Sequence, residues 1–255
     1  MGNYNPRNSV KLFKKETTMT QFSDDLWLGT ANGPQVNSYA GPGAVLSGVG
    51  PLGRVYIWDI VPATKSATAV CAAQAVAAAG YATINGASAS GGVATFDYAR
   101  AVNVDSSGAG DTTQTVTVTG TDYWGQAQTE EIALNGTTAV AGQKAFKTIT
   151  AVYVSAALAG NLTVGNEDVF GLPYRVTDAG YLLRVGWAGA LAEDTGTFVA
   201  ADTATATATT NDVRGTYAPS SAANGTRRLV IAIGLTSLQA GPNATQTGAI
   251  GVTPA

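Results

Sequence analysis

Thr115-Val116-Thr117-Val118-Thr119 alternates a hydroxyl with a branched apolar side chain. A strand sends successive side chains to opposite faces, so the two valines share a buried face and the threonines a wetter one. Gly120-Thr121-Asp122-Tyr123-Trp124-Gly125 supplies a connecting turn, and residues 129–134 return with Ile132 and Leu134 on one face. The pattern predicts a β-hairpin. Asn135-Gly136 closes the second strand with a dipeptide that tight hairpin turns favour, because both central residues take positive φ there. Asn224-Gly225 repeats the signal near the end of the chain.

Outward from this hairpin, further strands are expected at residues 148–154 and 161–164, which makes 92–176 a β-sandwich-like domain. Before it, Arg54-Val55-Tyr56-Ile57-Trp58-Asp59-Ile60-Val61-Pro62 is a β-branched and aromatic run closed by proline, and it reads as a strand. Residues 67–79 are rich in alanine and precede Gly80, the pattern of a short helix with its stop, although such small side chains also pair as strand. The segment 51–91 is therefore expected to be a strand plus short helix packing with the C-terminal part. A C-terminal β region, 177–255, carries strands at 181–187, 197–199 and 227–235. Between them the Ala-Thr tract 201–210 has too little side-chain volume to anchor a core and is expected as an exposed edge or loop. Residues 1–50 are dense in Asn, Gly, Pro and Ser and form an extended N-terminal arm. Phe22, Leu26, Trp27 and Leu28 on that arm gain little unless they dock, either on their own subunit or on a neighbour. The fold class expected is mainly β, antiparallel sandwich or barrel modules with an extended arm and at most one short helix.

Composition excludes whole classes of chemistry. The 255 residues contain no histidine and one cysteine, Cys71, so a Ser-His-Asp or Cys-His site, an intrachain disulfide and a thiolate metal cluster are not available within the chain. Cys71 lies in the alanine-rich segment and reads as a small buried thiol. Gly48-Val49-Gly50-Pro51-Leu52-Gly53 has the spacing of a dinucleotide-binding loop, but proline interrupts it and a strand, not a helix, follows. The pairs Asp24-Asp25, Glu130-Glu131, Glu167-Asp168 and Glu193-Asp194 consist of neighbours, which a strand points to opposite faces; two acids from different elements would be needed to flank a glycosidic bond. Asp105-Ser106-Ser107-Gly108-Ala109-Gly110-Asp111 is rich in oxygen but lacks the spacing of a Ca²⁺ loop and reads as a polar turn. No enzyme activity and no cofactor are expected. The net charge of -3 and scattered cations give no nucleic-acid footprint; only Arg7, Lys11, Lys14 and Lys15 cluster, as a solvated tail or a contact with an acidic surface. No apolar stretch of secretory or membrane-spanning kind is read, and no membrane partner is expected.

The run from Thr115 to Gly171 contains Val-Thr-Val-Thr-Gly-Thr-Asp, Thr-Glu-Glu-Ile-Ala-Leu-Asn-Gly-Thr-Thr, Ala-Phe-Lys-Thr-Ile-Thr-Ala-Val and Val-Gly-Asn-Glu-Asp-Val-Phe-Gly-Leu-Pro-Tyr. It resembles a module of tailed-bacteriophage virion proteins. Asn211-Asp212-Val213-Arg214-Gly215-Thr216-Tyr217 and Gly225-Thr226-Arg227-Arg228-Leu229 are similar to a C-terminal block that accompanies it in capsid decoration, or cement, proteins. The resemblance spans about residues 50–255 and brings no catalytic motif. It implies a protein made in the bacterial host cytoplasm that sits on the capsid exterior of the virion. Its partners would be an HK97-like major capsid protein and copies of itself, as a homotrimer or a dimer. Phe22, Leu26, Trp27 and Leu28, with Tyr123 and Trp124 at the hairpin tip, are the expected capsid or subunit contacts, since aromatic anchors carry much of such binding. The alternative is a tail or surface module binding host glycan, for which Tyr123 and Trp124 beside polar loops are the aromatic platform.

Overall fold

The computed structural model describes residues 26–28, 53–202 and 211–236. Along the chain come β1 (Leu26–Leu28), β2 (Gly53–Ile60), β3 (Cys71–Ala75), β4 (Gly80–Tyr81) and β5 (Ala89–Ser90). The centre holds β6 (Val93–Ser106), β7 (Thr115–Thr121), β8 (Ala127–Ala133), β9 (Val140–Val154) and β10 (Asn161–Gly171). After a 3₁₀ turn at Ala179–Tyr181 follow β11 (Leu182–Trp187), β12 (Thr197–Val199), β13 (Thr216–Ala218) and β14 (Leu229–Thr236). The protein is mainly β, in antiparallel sheets that curl into a half-barrel.

The larger sheet runs β12-β13-β10-β6-β9-β7-β8, with β3, β4 and β5 paired to β10, β9 and β6. The smaller sheet runs β1-β2-β14-β11. The segment 51–91 thus divides between them. β2 pairs along its whole length with the C-terminal β14, whereas β3, β4 and β5 join the strands of the central region.

The expected hairpin is β7-β8, with Val116 opposite Ile132 and Val118 opposite Glu130. Burial alternates along β7, and Val116 and Val118 are fully enclosed. Its Asn-Gly sequel differs from expectation, because no described residue other than glycine has positive φ. Gly136, at φ 58°, stands first of the two central residues in a turn closed by Thr138 N–H to the Asn135 carbonyl at 3.1 Å. At Asn224-Gly225 the Asn224 side chain itself accepts from the amides of Thr226 (3.0 Å) and Arg227 (2.8 Å), a side-chain-closed turn.

The helix expected over 67–79 is absent; Cys71–Ala75 is strand β3. Alanine's helix propensity is a weak prior, and tertiary pairing overrides it here. Val70 donates to the Val164 carbonyl and accepts from Asn85 and Gly86, so its backbone groups are committed to neighbouring segments. The Gln74 side chain works as an extra ladder rung, accepting from the Thr83 amide at 2.9 Å and donating to the Thr83 carbonyl at 2.8 Å. Chain and sheet also approach too closely for a helical cylinder, since a Cβ on Gly165 would lie 2.3 Å from the Ser66 carbonyl oxygen. The Ala-Thr tract lies outside the described residues from 203 onward.

Two apolar clusters fill the molecule. The first lies within the curl of the large sheet and includes Cys71, Val102, Val116, Val118, Phe146, Ile149, Val152 and Leu162. The second lies between the sheets and includes Trp58, Ile60, Phe170, Trp187, Tyr217, Leu229, Ile231 and Ile233. Strand β9 borders both partners of the curl, pairing with β6 through residues 140–149 and with β7 through residues 148–154. Where β7 leaves β9, side chains replace the missing ladder. The Glu130 carboxylate accepts from the amides of Gln143 (2.5 Å) and Lys144 (3.2 Å). Gln128 Nε2 donates to the Ala145 carbonyl at 2.6 Å, and Lys144 Nζ to the Thr129 carbonyl at 2.7 Å. Backbone groups that two facing strand edges would leave bare are satisfied in this way. Gly142 leaves room for this carboxylate, because a Cβ there would stand 2.5 Å from a Glu130 oxygen and push it aside.

Phe146 has no exposed surface and sits in the first cluster. Phe146→Ala is expected to lower the unfolding free energy by about 3–5 kcal/mol through lost burial and the cavity left behind. Urea titration of both proteins, at unchanged denaturant slope, measures it.

Candidate interaction surface

Phe22 lies outside the described residues. Leu26–Leu28 form β1, which adds antiparallel to the edge of β2 with Leu26 opposite Val55 and Trp27 opposite Arg54. The arm therefore contributes a strand to the smaller sheet. Gly48–Leu52 of the glycine-rich loop and the pair Asp24-Asp25 lie outside the description as well.

Tyr123 and Trp124, expected at an exposed tip, are drawn onto the body by Arg214. That side chain is 1% exposed and pairs through Nη1 with the equally buried Asp122 of the hairpin turn, while Nη2 donates to Gln126 Oε1 at 2.7 Å. The other Asp122 oxygen accepts from the Trp124 and Gln126 amides, both at 2.9 Å. The turn is thereby folded around one carboxylate. Tyr123 then packs edge-on against Trp58 of β2, and Trp124 donates its indole N–H to the Pro173 carbonyl at 2.7 Å. Trp124 still presents 45% of its surface to solvent, whereas Tyr123 is half-buried in the second cluster.

Asp212, two residues before Arg214, accepts from the amides of Ala145 (3.0 Å) and Arg214 (2.8 Å). Burial pushes its carboxyl up to about 6, against the pull of those bonds and of the Arg214 charge. A second buried arginine ties the other side of the seam. Arg100 has no exposed side-chain surface and grips Asp97 with Nε and Nη2, both at 2.8 Å. It also reaches Asp168 at 3.2 Å and the Ala63 carbonyl at 2.6 Å, and its guanidinium lies 4.8 Å from the Phe170 ring centre.

Each remaining described acidic pair has at least one member tied into the fold. Glu167 binds Lys65 Nζ and Asn103 Nδ2, and Asp194 accepts from Tyr217, Ser220 and Gly196. Glu130 is buried at the seam while Glu131 faces solvent, the opposite-face arrangement expected of strand neighbours. In the oxygen-rich loop Asp111 accepts from Ser106 Oγ and the amides of Ala159 and Gly160, bonds that hold its carboxyl below the usual range. Its oxygens close the loop. The Cys71 thiol is buried and its pKa is pushed up to about 12 by desolvation. Among the described residues no cluster of acidic or sulfur side chains is placed to hold a metal ion, and no helix is long and apolar enough to cross a membrane.

What the structure adds is a face that the sequence reading left unassigned. In the smaller sheet Trp58, Ile60, Val185, Leu229, Ile231 and Ile233 point inward to the second cluster. The other parity of the same strands points outward. Ile57 is 61% exposed there, opposite Ala232 across β2-β14, with Val230 opposite Gly186 across β14-β11. These residues, with Arg184, Gly189 and Ala190, line an open hollow of about 300 Å³. Leu183 and Leu191, at 47% and 98% exposed, and the ion pair Arg228–Asp59 belong to the same sheet and the loop beyond β11. A run apolar at both parities is the signature of a strand covered on both faces. That outer face is open around Ile57, whereas Val55 and Gly234 on the same face are buried, with the Leu183 side chain lying over Gly234.

Comparison with family models, with curated proteins and with solved structures found no match.

Removing the Arg214 charge leaves Asp122 buried without its cation, so Arg214→Met is expected to cost about 3–5 kcal/mol of stability. The double variant Asp122→Asn/Arg214→Met should recover much of that loss in the same thermal or urea titration. Asp212 gives a pH signature of definite sign. The folded state holds its proton more tightly than the unfolded chain, so its contribution is greatest below about pH 4 and declines as pH rises through 6. Asp212→Asn should remove that decline, measured as the difference in unfolding free energy between the two proteins from pH 4 to 7.

Proposed function

We propose that this chain is a structural virion protein, a cement protein that binds the outer surface of an HK97-like phage capsid and stabilises the shell. The observation that carries the reading is the outer face of the smaller sheet, where Ile57, Val230 and Ala232 form an apolar patch beside the Asp59–Arg228 ion pair. The shallow, open hollow around Ile57, Val230 and Ala232 offers adhesion over an apolar area. The resemblance of the central and C-terminal blocks to decoration proteins supports the same assignment. β1 extends the same sheet by one strand beyond β2, which widens the sheet offered to the major capsid protein or a neighbouring copy.

The energetics suit this role. A contact made once per subunit need bury only a modest area if each copy bridges several capsid proteins, because linked contacts multiply. A homotrimer would triple the contacts presented to the shell. The exposed half of Trp124 supplies a further anchor on the body.

Ile57→Glu tests the face without disturbing the core. The variant is expected to keep the wild-type melting temperature, since Ile57 is mostly exposed, yet to fail to decorate heads lacking this protein and to leave them rupturing at the lower temperature of bare particles. Decoration and heat resistance equal to wild type would refute the assignment of this face.

A further inference from the structure

Tyr81 is the most exposed tyrosine among the described residues, at 78%, and packs edge-on against Tyr153 with ring centres 5.3 Å apart. Both rings stand on the outer face of the large sheet, away from either apolar cluster. Register extends the pair into a row. Tyr81 lies opposite Tyr153, Tyr153 opposite Thr117, and Thr117 opposite Glu131. Directly opposed side chains sit about 5 Å apart, so the row runs for about 15 Å across four strands. Its far end opens into a groove of about 550 Å³ between β8 and the first half of β9, lined by Thr117, Thr129, Glu131 and Gln143 among others. That volume lies within the range of ligand clefts, about 300–1,000 Å³.

The chemistry of this strip narrows its occupant. Two rings followed along the row by Thr117 and Glu131 give too little apolar area for a stable protein interface, which needs roughly 800 Å² per partner. A sugar ring has the complementary form, one C–H face and a rim of hydroxyls. The charge pattern selects further. Glu131 is exposed and has no cationic partner among the described residues, while the buried Lys144, which also lines the groove, donates its ammonium to the Thr129 carbonyl and faces Glu130 and Asp212. An anionic chain would meet an uncompensated carboxylate. The fold itself makes no use of these groups, since neither tyrosine nor Glu131 belongs to a core cluster.

We propose that this strip binds a neutral polysaccharide chain. The face of one tyrosine ring carries the apolar face of a sugar while the other ring, edge-on to it, contacts the sugar's rim, and Thr117, Thr129 and Glu131 receive the hydroxyls of the next. The site lies on the larger sheet, whereas the proposed capsid-facing surface lies on the smaller one, and the inference stands independently of that assignment.

The test is calorimetric titration of the full chain with neutral hexasaccharides of glucose, galactose, mannose and N-acetylglucosamine, with hexalysine and heparin as comparators. At least one neutral hexasaccharide should bind saturably. Tyr81→Ala and Tyr153→Ala should each weaken it about tenfold, the equivalent of about 1.4 kcal/mol. Glu131→Gln should weaken it several-fold, and all three variants should melt with the wild type. The proposal is overturned if no neutral hexasaccharide binds at concentrations up to about 10 mM, if binding survives loss of both tyrosines, or if only hexalysine or heparin binds.

Discussion

Arg100 and Arg214 hold their charges where water does not reach, and the geometry of both sheets follows from where those charges must be satisfied. A buried guanidinium is tolerated only when nearly all its donors are met. Arg100 meets Asp97, Asp168 and the Ala63 carbonyl, and so joins β6, β10 and the segment that leaves β2. Asp168 in turn accepts from the Ala223 amide on the approach to β14. Arg214 meets Asp122 and Gln126, and so pins the β7-β8 tip to the segment before β13. The second apolar cluster is trapped between these two fastenings. Arg100 ties the segment after β2 to the larger sheet, and Arg214 fastens two parts of the larger sheet to each other beside that cluster.

Once those ties are set, the period of two in a strand leaves no freedom about what faces outward. Trp58, Ile60, Leu229, Ile231 and Ile233 must go in, so Ile57, Val230 and Ala232 must go out. The bare apolar face and its inner counterpart are therefore one consequence of one register. On the larger sheet the same logic turns Val116, Val118, Val152 and Val154 inward and aligns Thr117, Tyr153 and Glu131 outside. Two surfaces of different chemistry result, one aliphatic and shallowly hollowed, the other hydroxylated with an aromatic end.

Much of this architecture is legible in the residues because local alternation and tertiary demand agree. The Thr-Val repeat of β7 and the β-branched run of β2 identify themselves. Residues 71–75 do not, since alanine fits a helix locally and only the partners Val164 and Thr83 make it a strand. The long central strand β6 is also obscure: Arg100 and Asn103 interrupt its apolar pattern, and their buried partners lie more than sixty residues away. Tyr123 and Trp124 look like free loop aromatics for the same reason, because the Arg214 that draws their turn inward is ninety-two residues distant from Asp122. The exposed Tyr81–Tyr153 pair carries no signal at all in sequence, since it depends on a two-residue strand meeting the end of β9. The doubled apolar parity of β2 is visible in its residues, yet its meaning emerges only when one face is found covered and the other open around Ile57.

The proposed role is adhesion to a capsid shell through a sheet face. The most direct measurement is a difference density map between virions with and without the chain. The account predicts density on the head exterior at regular lattice positions, with the β1-β2-β14-β11 sheet turned toward the capsid or toward a sister copy. Density confined to the tail, or no loss of density from the head surface, would contradict it.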